Sequence, residues 1–462
     1  MRKNSYLVFI ILAGDIIIFY ASLVSTLYLH YGREGFADWW GLHKIPFSIL
    51  FALWILIFFI AGLYDRRFLK PGAELYGNVV KTMITCAVIG IALFYSIPSF
   101  IIAPKTNLLI QIAATTTLII VWRALLSRTI AGSAKIKIIF FGYSKEVYDL
   151  IQIIFSNPQF GYEPVLLVIT EDKKITSLPK IPVRHFDHNL PFLVKQYEAS
   201  MVVASSEIKK DETIVKMLYQ ILPLGISFQD FPAFYESIVG KIPVSLISEA
   251  WFIENIAQLR DAVSDYIKRA LDIVLAFIAG VVTLLFFPLL ALLIKMESAG
   301  PVFISQTRTG KNGIPFTLIK FRSMISLSKS GLAETGTPLW AQEIDSRVTK
   351  VGKFLRTTHL DELPQCWNIL KNELSVVGPR PERPQFVEHL QKVIPHYAMR
   401  HLAKPGITGW AQINMPGMYA GSVEDSMEKL QYDLYYIKHK STMMDIEIIL
   451  KTILLTLKRV GR

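Results

Sequence analysis

The chain has 462 residues, of which 52% are hydrophobic and 19% charged, and its formal net charge is +12. Soluble globular chains usually carry about a quarter charged residues, so this composition leans away from an ordinary soluble fold and towards a membrane protein. The basic excess suits anionic headgroups or phosphorylated substrates; it is spread among apolar runs without a basic tail, which speaks against nucleic acid as a partner. At about 100–200 residues per domain, the length predicts three units. Two isolated cysteines, Cys86 and Cys366, make neither a zinc site nor a disulfide framework, and a reducing compartment is the simpler reading.

Four apolar runs fill the first quarter, about 6–29, 45–64, 82–102 and 107–126. Each reaches the roughly 20 residues that a helix needs to span a bilayer. The start, MRKNSYLVFIILAGDIIIFYASLVSTLYL, is too long for a signal-peptide core and has no small-residue cleavage signal, so it reads as a retained anchor. Arg2 and Lys3 precede the first run, DRRFLKPG (65–72) follows the second, and Arg123, Arg128, Lys135 and Lys137 follow the fourth. The other two loops hold only Arg33, Lys44 and Lys105. The positive-inside bias therefore puts both ends of this four-helix bundle, 1–130, in the cytoplasm. Asp15 lies within the first run and is expected to face the bundle as a structural polar contact, with a functional role as the alternative.

From 134 to 250 the pattern changes to short β-type runs, KIKIIFFGY, PVLLVIT, ASMVVASSE and GISFQDF, alternating with helical stretches. That alternation predicts a small parallel α/β domain of Rossmann-like type. A dinucleotide site would show G-x-G-x-x-G after the first strand; GYSKEV has one glycine. Without the phosphate-cradling glycines no nucleotide is assigned here, and a structural or regulatory spacer is the better reading.

The stretch YIKRALDIVLAFIAGVVTLLFFPLLALLIKMES (266–298) is long enough to span. Lys268 and Arg269 precede it and Lys295, Arg308 and Lys311 follow, so both flanks carry the inside signal. Pro288 removes a backbone hydrogen bond inside the run. A helix that enters, breaks near Pro288 and returns to the same face satisfies both observations. The last third is more polar and has no spanning run. Its end, TMMDIEIILKTILLTLKRVGR, lies in the interface plane or packs on its own domain, and SLSKSGLAETGTP (326–338) reads as a mobile loop.

Within that third, HLDELPQCWNIL (359–370) sets Asp361 beside Glu362. Taken alone, the pair suits a helix cap and first turn, each acid stabilising by ~0.3–1 kcal/mol. Basic residues gather around it in the chain: Lys320 and Arg322 in LIKFRSM, Arg356 five residues before Asp361, and Arg380 between two prolines in VVGPRPE. Each alone reads as a surface charge or local salt bridge, but arginine forks match phosphate oxygens. Together they are candidate phosphate ligands.

Five blocks carry a resemblance: KRALDIVLAF, PVFISQTRTGKNGIPFTLIKFRSM, RVTKVGKFLRTTHLDELPQCWNILKNELSVVGPRPE, KPGITGWAQIN and DLYYIKHKSTMMDIEIILKTI. In this order they resemble the bacterial sugar transferase family, the polyprenyl-phosphate hexose-1-phosphate transferases. These are monotopic phosphoglycosyl transferases anchored by a re-entrant helix. The resemblance implies an integral membrane, multi-domain protein. An N-terminal four-helix transmembrane bundle and an α/β domain would precede a C-terminal α+β catalytic domain, 264–462, with its re-entrant helix at about 266–297. It implies that Asp361 is the nucleophile, that Glu362 holds Mg²⁺, and that Arg356 and Arg380 bind substrate phosphate; Lys320 and Arg322 match a block of less definite role. The implied reaction moves hexose-1-phosphate from a UDP-hexose, UDP-glucose or UDP-galactose, to undecaprenyl phosphate and releases UMP. It would open exopolysaccharide, capsule or O-antigen synthesis at the cytoplasmic face of the bacterial inner membrane, with membrane lipid as a partner. A homodimer is expected on fold analogy alone.

The physics agrees with that chemistry. A carboxylate, reference pKa about 3.9, needs no base to become a nucleophile, so no catalytic histidine is required and His359 reads as an ordinary polar residue. An anion attacking an anionic diphosphate does need charge offset by a metal and arginines. Two other readings stand beside it: a direct-displacement glycosyltransferase releasing UDP, for which no D-x-D motif is present, and an inactive scaffold or regulator of polysaccharide export. A transporter is a weaker third.

Overall fold

The structure is a computed structural model that describes residues 2–64, 73–96, 105–132, 135–169, 181–186, 189–204, 212–256, 262–326, 347–415 and 422–457. The basic 65–72 segment, and all but the first residue of 326–338, lie outside the described residues. The chain divides into two compact units, Met1–Ile238 and Val239–Arg462.

The first unit opens with α1 (Arg2–Ile60), α2 (Ala73–Ser96) and α3 (Lys105–Gly132). α1 is two helices joined at Gly32, whose backbone at φ 69° and ψ −173° leaves the helical region, and each half carries one of the first two apolar runs. The run expected at 82–102 begins inside α2, because the first turns of that helix carry Glu74, Asn78 and Lys81 and hydropathy alone passes over them. Phe19, Phe47, Trp54 and Phe58 are fully buried in the bundle, and the Trp54 indole N–H donates to the Cys86 carbonyl at 3.1 Å. A polar seam joins the first half of α1 to α3. Asp15 pairs with Arg123 at 2.6 Å, Ser22 meets Thr115 at 2.8 Å, and Asn107 donates to the Tyr31 hydroxyl at 2.9 Å. Polar groups in hydrocarbon must be satisfied internally, and these partners lie across the helix pair. Asp15 thus faces the bundle. Arg123, counted among the flanking charges, lies inside it, because the helix continues past the apolar run.

The rest of this unit holds β1 (Ile136–Phe141), α4 (Lys145–Ser156), β2 (Tyr162–Ile169), β3 (Val183–His185), α5 (Leu190–Gln196), β4 (Met201–Ala204), α6 (Glu212–Ile221), β5 (Ser227–Asp230) and α7 (Phe231–Val239). The strands form one parallel sheet in the order β3-β2-β1-β4-β5. Residues 138–141 of central β1 are buried, as a strand covered on both faces requires. Gly142 (φ 95°) ends β1, and the Ser144 hydroxyl accepts from Val147 N and caps α4.

The second unit contains α8 (Glu249–Asn255), α9 (Ala262–Glu297), β6 (Phe303–Thr309), β7 (Pro315–Phe321), α10 (Lys350–Thr357), α11 (Cys366–Leu370), β8 (Ser375–Val377), α12 (Pro384–Val393), β9 (Gly406–Thr408), α13 (Trp410–Asn414), α14 (Val423–His439) and α15 (Thr442–Leu457). Ile242, Val244, Trp251 and Phe252 are buried here with Trp410, Leu430 and Leu434. The sequence reading carried the α/β domain to 250; an apolar segment does not declare which core it joins, and this one joins the second.

α9 is the long apolar helix, and it stays helical through Pro288. The break expected at Pro288 does not interrupt it. The fixed φ of proline is itself helical, and the turns on both sides are docked. Ala276 and Ala279 pack on Phe316, Leu318, Cys366 and Ile369, while Leu290 and Ile294 pack on Phe321 and Leu355. Both ends are bonded to this same unit. Lys268 donates to Asp445 and the Val377 carbonyl, Arg269 to the Ile369 and Leu370 carbonyls, and the Glu297 carboxylate caps α10 by accepting from Lys350 and Val351 N–H. The other face exposes Phe277, Leu284, Leu285, Leu289 and Leu292.

Candidate active site

The acidic pair sits where three pieces of the second unit meet. Thr358 caps the C-terminus of α10, and the next residue, His359, takes the left-handed conformation (φ 56°, ψ 15°) that turns the chain sharply. A 3₁₀ turn, Leu360–Gln365, follows and buries Asp361 and Glu362, 3% and 4% exposed. Pro364 lies inside this turn. The helix that follows is α11, five residues long, too short to contribute much dipole.

β7 supplies Lys320. It is held to α11 by Asn368, whose side-chain amide donates to the Thr317 carbonyl at 2.7 Å and accepts from Ile319 N at 3.2 Å. Lys320 Nζ then reaches Glu362 Oε1 at 2.7 Å. The third piece is the loop after β8. Its ladder with β9 brings two backbones so close that a Cβ at Gly378 would collide with the Lys404 carbonyl, hence glycine. Two residues later Arg380 Nη2 reaches the same Glu362 Oε1 at 2.8 Å. The Glu362 charge beside Arg380 pushes that guanidinium above its usual range.

The structure therefore brings Asp361, Glu362, Lys320 and Arg380 together. Arg356 stands half-buried in the last turn of α10. Arg322 goes elsewhere: it is 2% exposed and donates to the carbonyls of Ile294, Ser298 and Ala299 at the end of α9. β7 ends at Phe321, so Arg322 lies beyond the strand and does not share a strand face with Lys320. Pro288 lies within α9 in its docked stretch. Among the described residues no three His, Cys, Asp or Glu side chains come together as a metal cage. The acidic pair fits a cation that takes one or two carboxylates and fills its shell with phosphate oxygens and water, as Mg²⁺ does.

Sequence reasoning missed a buried ionic frame behind Arg380. Arg400 bonds Asp433 through Nε and Nη2 at 3.0 and 2.7 Å, and Glu382 pairs with Lys429. Burial pushes the Glu382 carboxyl up, yet Lys429, Arg400 and Arg308 outweigh it and hold it down at about 2. The only available signal was Glu382 beside the P-R-P motif; Arg400 and Asp433 belong to no pattern.

The family model for bacterial sugar transferases matches residues 263–459, from the start of α9 to the end of the chain's described helices. A UDP-glucose:undecaprenyl-phosphate glucose-1-phosphate transferase of Caulobacter vibrioides is 41% identical over 195 residues, 41% of this chain and 69% of that protein. The chain belongs to the bacterial sugar transferase family. A UDP-N-acetylgalactosamine-undecaprenyl-phosphate N-acetylgalactosaminephosphotransferase of Aeromonas hydrophila is 41% identical over 221 residues, 47% of this chain and 49% of that protein. A UDP-glucose:undecaprenyl-phosphate glucose-1-phosphate transferase of Escherichia coli is 43% identical over 194 residues, 41% of this chain and 40% of that protein. The chain thus matches about half or less of these last two relatives' lengths. All the candidate site residues lie in the family's matched segment.

Proposed function

We propose that this chain transfers hexose-1-phosphate from a UDP-hexose to undecaprenyl phosphate and releases UMP, with Asp361 as nucleophile. The observation that carries the reading is the buried acidic pair with Lys320 and Arg380 converging on one Glu362 oxygen. The relatives' own names, which describe transfer from UDP-glucose or UDP-N-acetylgalactosamine to undecaprenyl phosphate, support the substrate classes.

An Asp361 carboxylate oxygen attacks the β-phosphorus of the donor. The new O–P bond forms as the bond to the bridging oxygen breaks, and UMP leaves with that electron pair. A phosphate oxygen of undecaprenyl phosphate then attacks the same phosphorus, displaces the Asp361 carboxylate, and leaves the sugar on a lipid diphosphate. Lys320, Arg356 and Arg380 offset the charge that builds when anions meet. Glu362 would hold Mg²⁺, which when bound supplies positive charge to the diphosphate oxygens.

α9 gives this site its place at the membrane. A spanning helix separates its two ends by a hydrocarbon core about 30 Å thick; both ends of α9 bond to one fold, which supports a course that keeps both ends, and the site, at the cytoplasmic surface. The test uses the full chain in detergent with Mg²⁺, undecaprenyl phosphate and UDP-glucose, UDP-galactose or UDP-N-acetylgalactosamine, and identifies the released nucleotide. UMP, lost in Asp361→Asn, is expected. UDP would make the chain a direct-displacement glycosyltransferase, and no nucleotide from any donor would sink the transferase reading.

A further inference from the structure

The loop 379–382 is held at every carbonyl. Gly406 N donates to Pro379 O at 2.9 Å, Arg400 Nη2 to Arg380 O at 3.0 Å, Arg308 Nη1 to Pro381 O at 3.1 Å, and Thr309 N to Glu382 O at 2.9 Å. Two of these four donors are guanidiniums. Arg400 is itself fixed, with Asp433 on Nε and Nη2 and the Tyr397 hydroxyl on Nη1 at 2.8 Å, and both Arg400 and Asp433 are 2% exposed.

A buried ion pair of this kind is a poor stabiliser, since desolvation offsets most of its attraction and well-packed apolar residues often do as well. Its worth here is geometric. The prolines at 379 and 381 fix their own φ and Pro381 narrows the backbone of Arg380 before it, so what freedom is left at Arg380 is the joint that moves its side chain. That joint is the one Arg400 grips. Arg380 must place its guanidinium on Glu362 Oε1, and a misplacement of about 1 Å in such a contact costs on the order of 10²-fold in rate.

We infer that Arg400, held by Asp433, is a positioning residue that acts through Arg380: it fixes the backbone from which Arg380 reaches Glu362 and the substrate phosphate. This inference rests on the proposed transfer reaction. Two readouts on the full chain test it. Hydrogen exchange of the amides at 378, 380 and 382 reports the loop without requiring activity. Arg400→Lys keeps the charge but loses the planar fork, and Asp433→Asn frees the fork. Both are expected to speed exchange in this loop while the amides of α9 and α14 are unchanged.

The second readout is a cycle of Arg400→Lys and Arg380→Ala measured by UMP release. Arg400→Lys is expected to lower kcat/KM on the order of 10²-fold in the native background and less than about threefold beside Arg380→Ala, with the same change in Tm in both. Equal losses in the two backgrounds, or loop exchange no faster in either variant, would overturn the inference. A native chain that releases no UMP sinks the transfer reading instead, and the exchange measurement still decides the clamp.

Discussion

Glu362 accepts from Lys320 and Arg380 on one oxygen while 4% exposed, so its charge organises the centre. Glu362→Gln leaves two cations facing each other. It is expected to abolish UMP release and to cost roughly 1–3 kcal/mol of stability, seen as a lowered Tm. Asp361→Asn keeps the shape and is expected to abolish release with Tm within about 2 °C of native; a collapse of the fold would give Asp361 a structural role instead. A pH effect belongs to His401. Burial, then the Arg400 charge, push His401 down to about 4 from an ordinary 6.5. As pH falls through 6.5 the unfolded chain gains a proton that the folded chain refuses until about pH 4. Its stability contribution is therefore complete above 6.5 and is lost between 6.5 and 4. Tm measured across that window is expected to fall less in His401→Asn than in the native chain; parallel curves would assign the loss to other groups.

Among the elements, α9 has the double task of insertion and docking. Its 36 residues run about 54 Å at the helical rise, yet one face is packed on the second unit from Ala276 to Ile294. Cysteines placed at Tyr266 and Met296, 78% and 75% exposed, are expected to react with a membrane-impermeant thiol reagent from the same side of sealed vesicles. Labelling from opposite sides would make α9 a spanning helix. Arg322 closes the C-terminal end of α9 through three carbonyls. Arg322→Lys, with fewer and unforked donors, is expected to lower stability by roughly 1–3 kcal/mol and to leave KM for the sugar nucleotide within about twofold. A tenfold rise in KM with unchanged Tm would return Arg322 to the phosphate ligands.

At the scale of the whole molecule, the second unit has its own hydrophobic cores and contains every candidate site residue. A unit with its own core can fold alone, so residues 239–462 in detergent are expected to unfold cooperatively and release UMP within about tenfold of the full chain. Loss of release with folding intact would give the first unit a part in the reaction. Periodicity and motif spacing encode the local features of this chain. The apolar runs, the parallel strand pattern and the DELP and PRP blocks are local, and hydrophobic length and turn chemistry act over a few residues. Where a charged side chain points is not local. Lys320 and Arg322 look equivalent in LIKFRSM, and the end of β7 between them sends one to Glu362 and the other to α9. Arg123 looks like a flank and is the buried partner of Asp15 from 108 residues away. Arg400 meets Asp433 and the Arg380 carbonyl only after α14 and the loop behind β8 have packed. Such pairs depend on burial, which removes the competing water and makes each partner necessary, and burial exists only once the tertiary structure has formed.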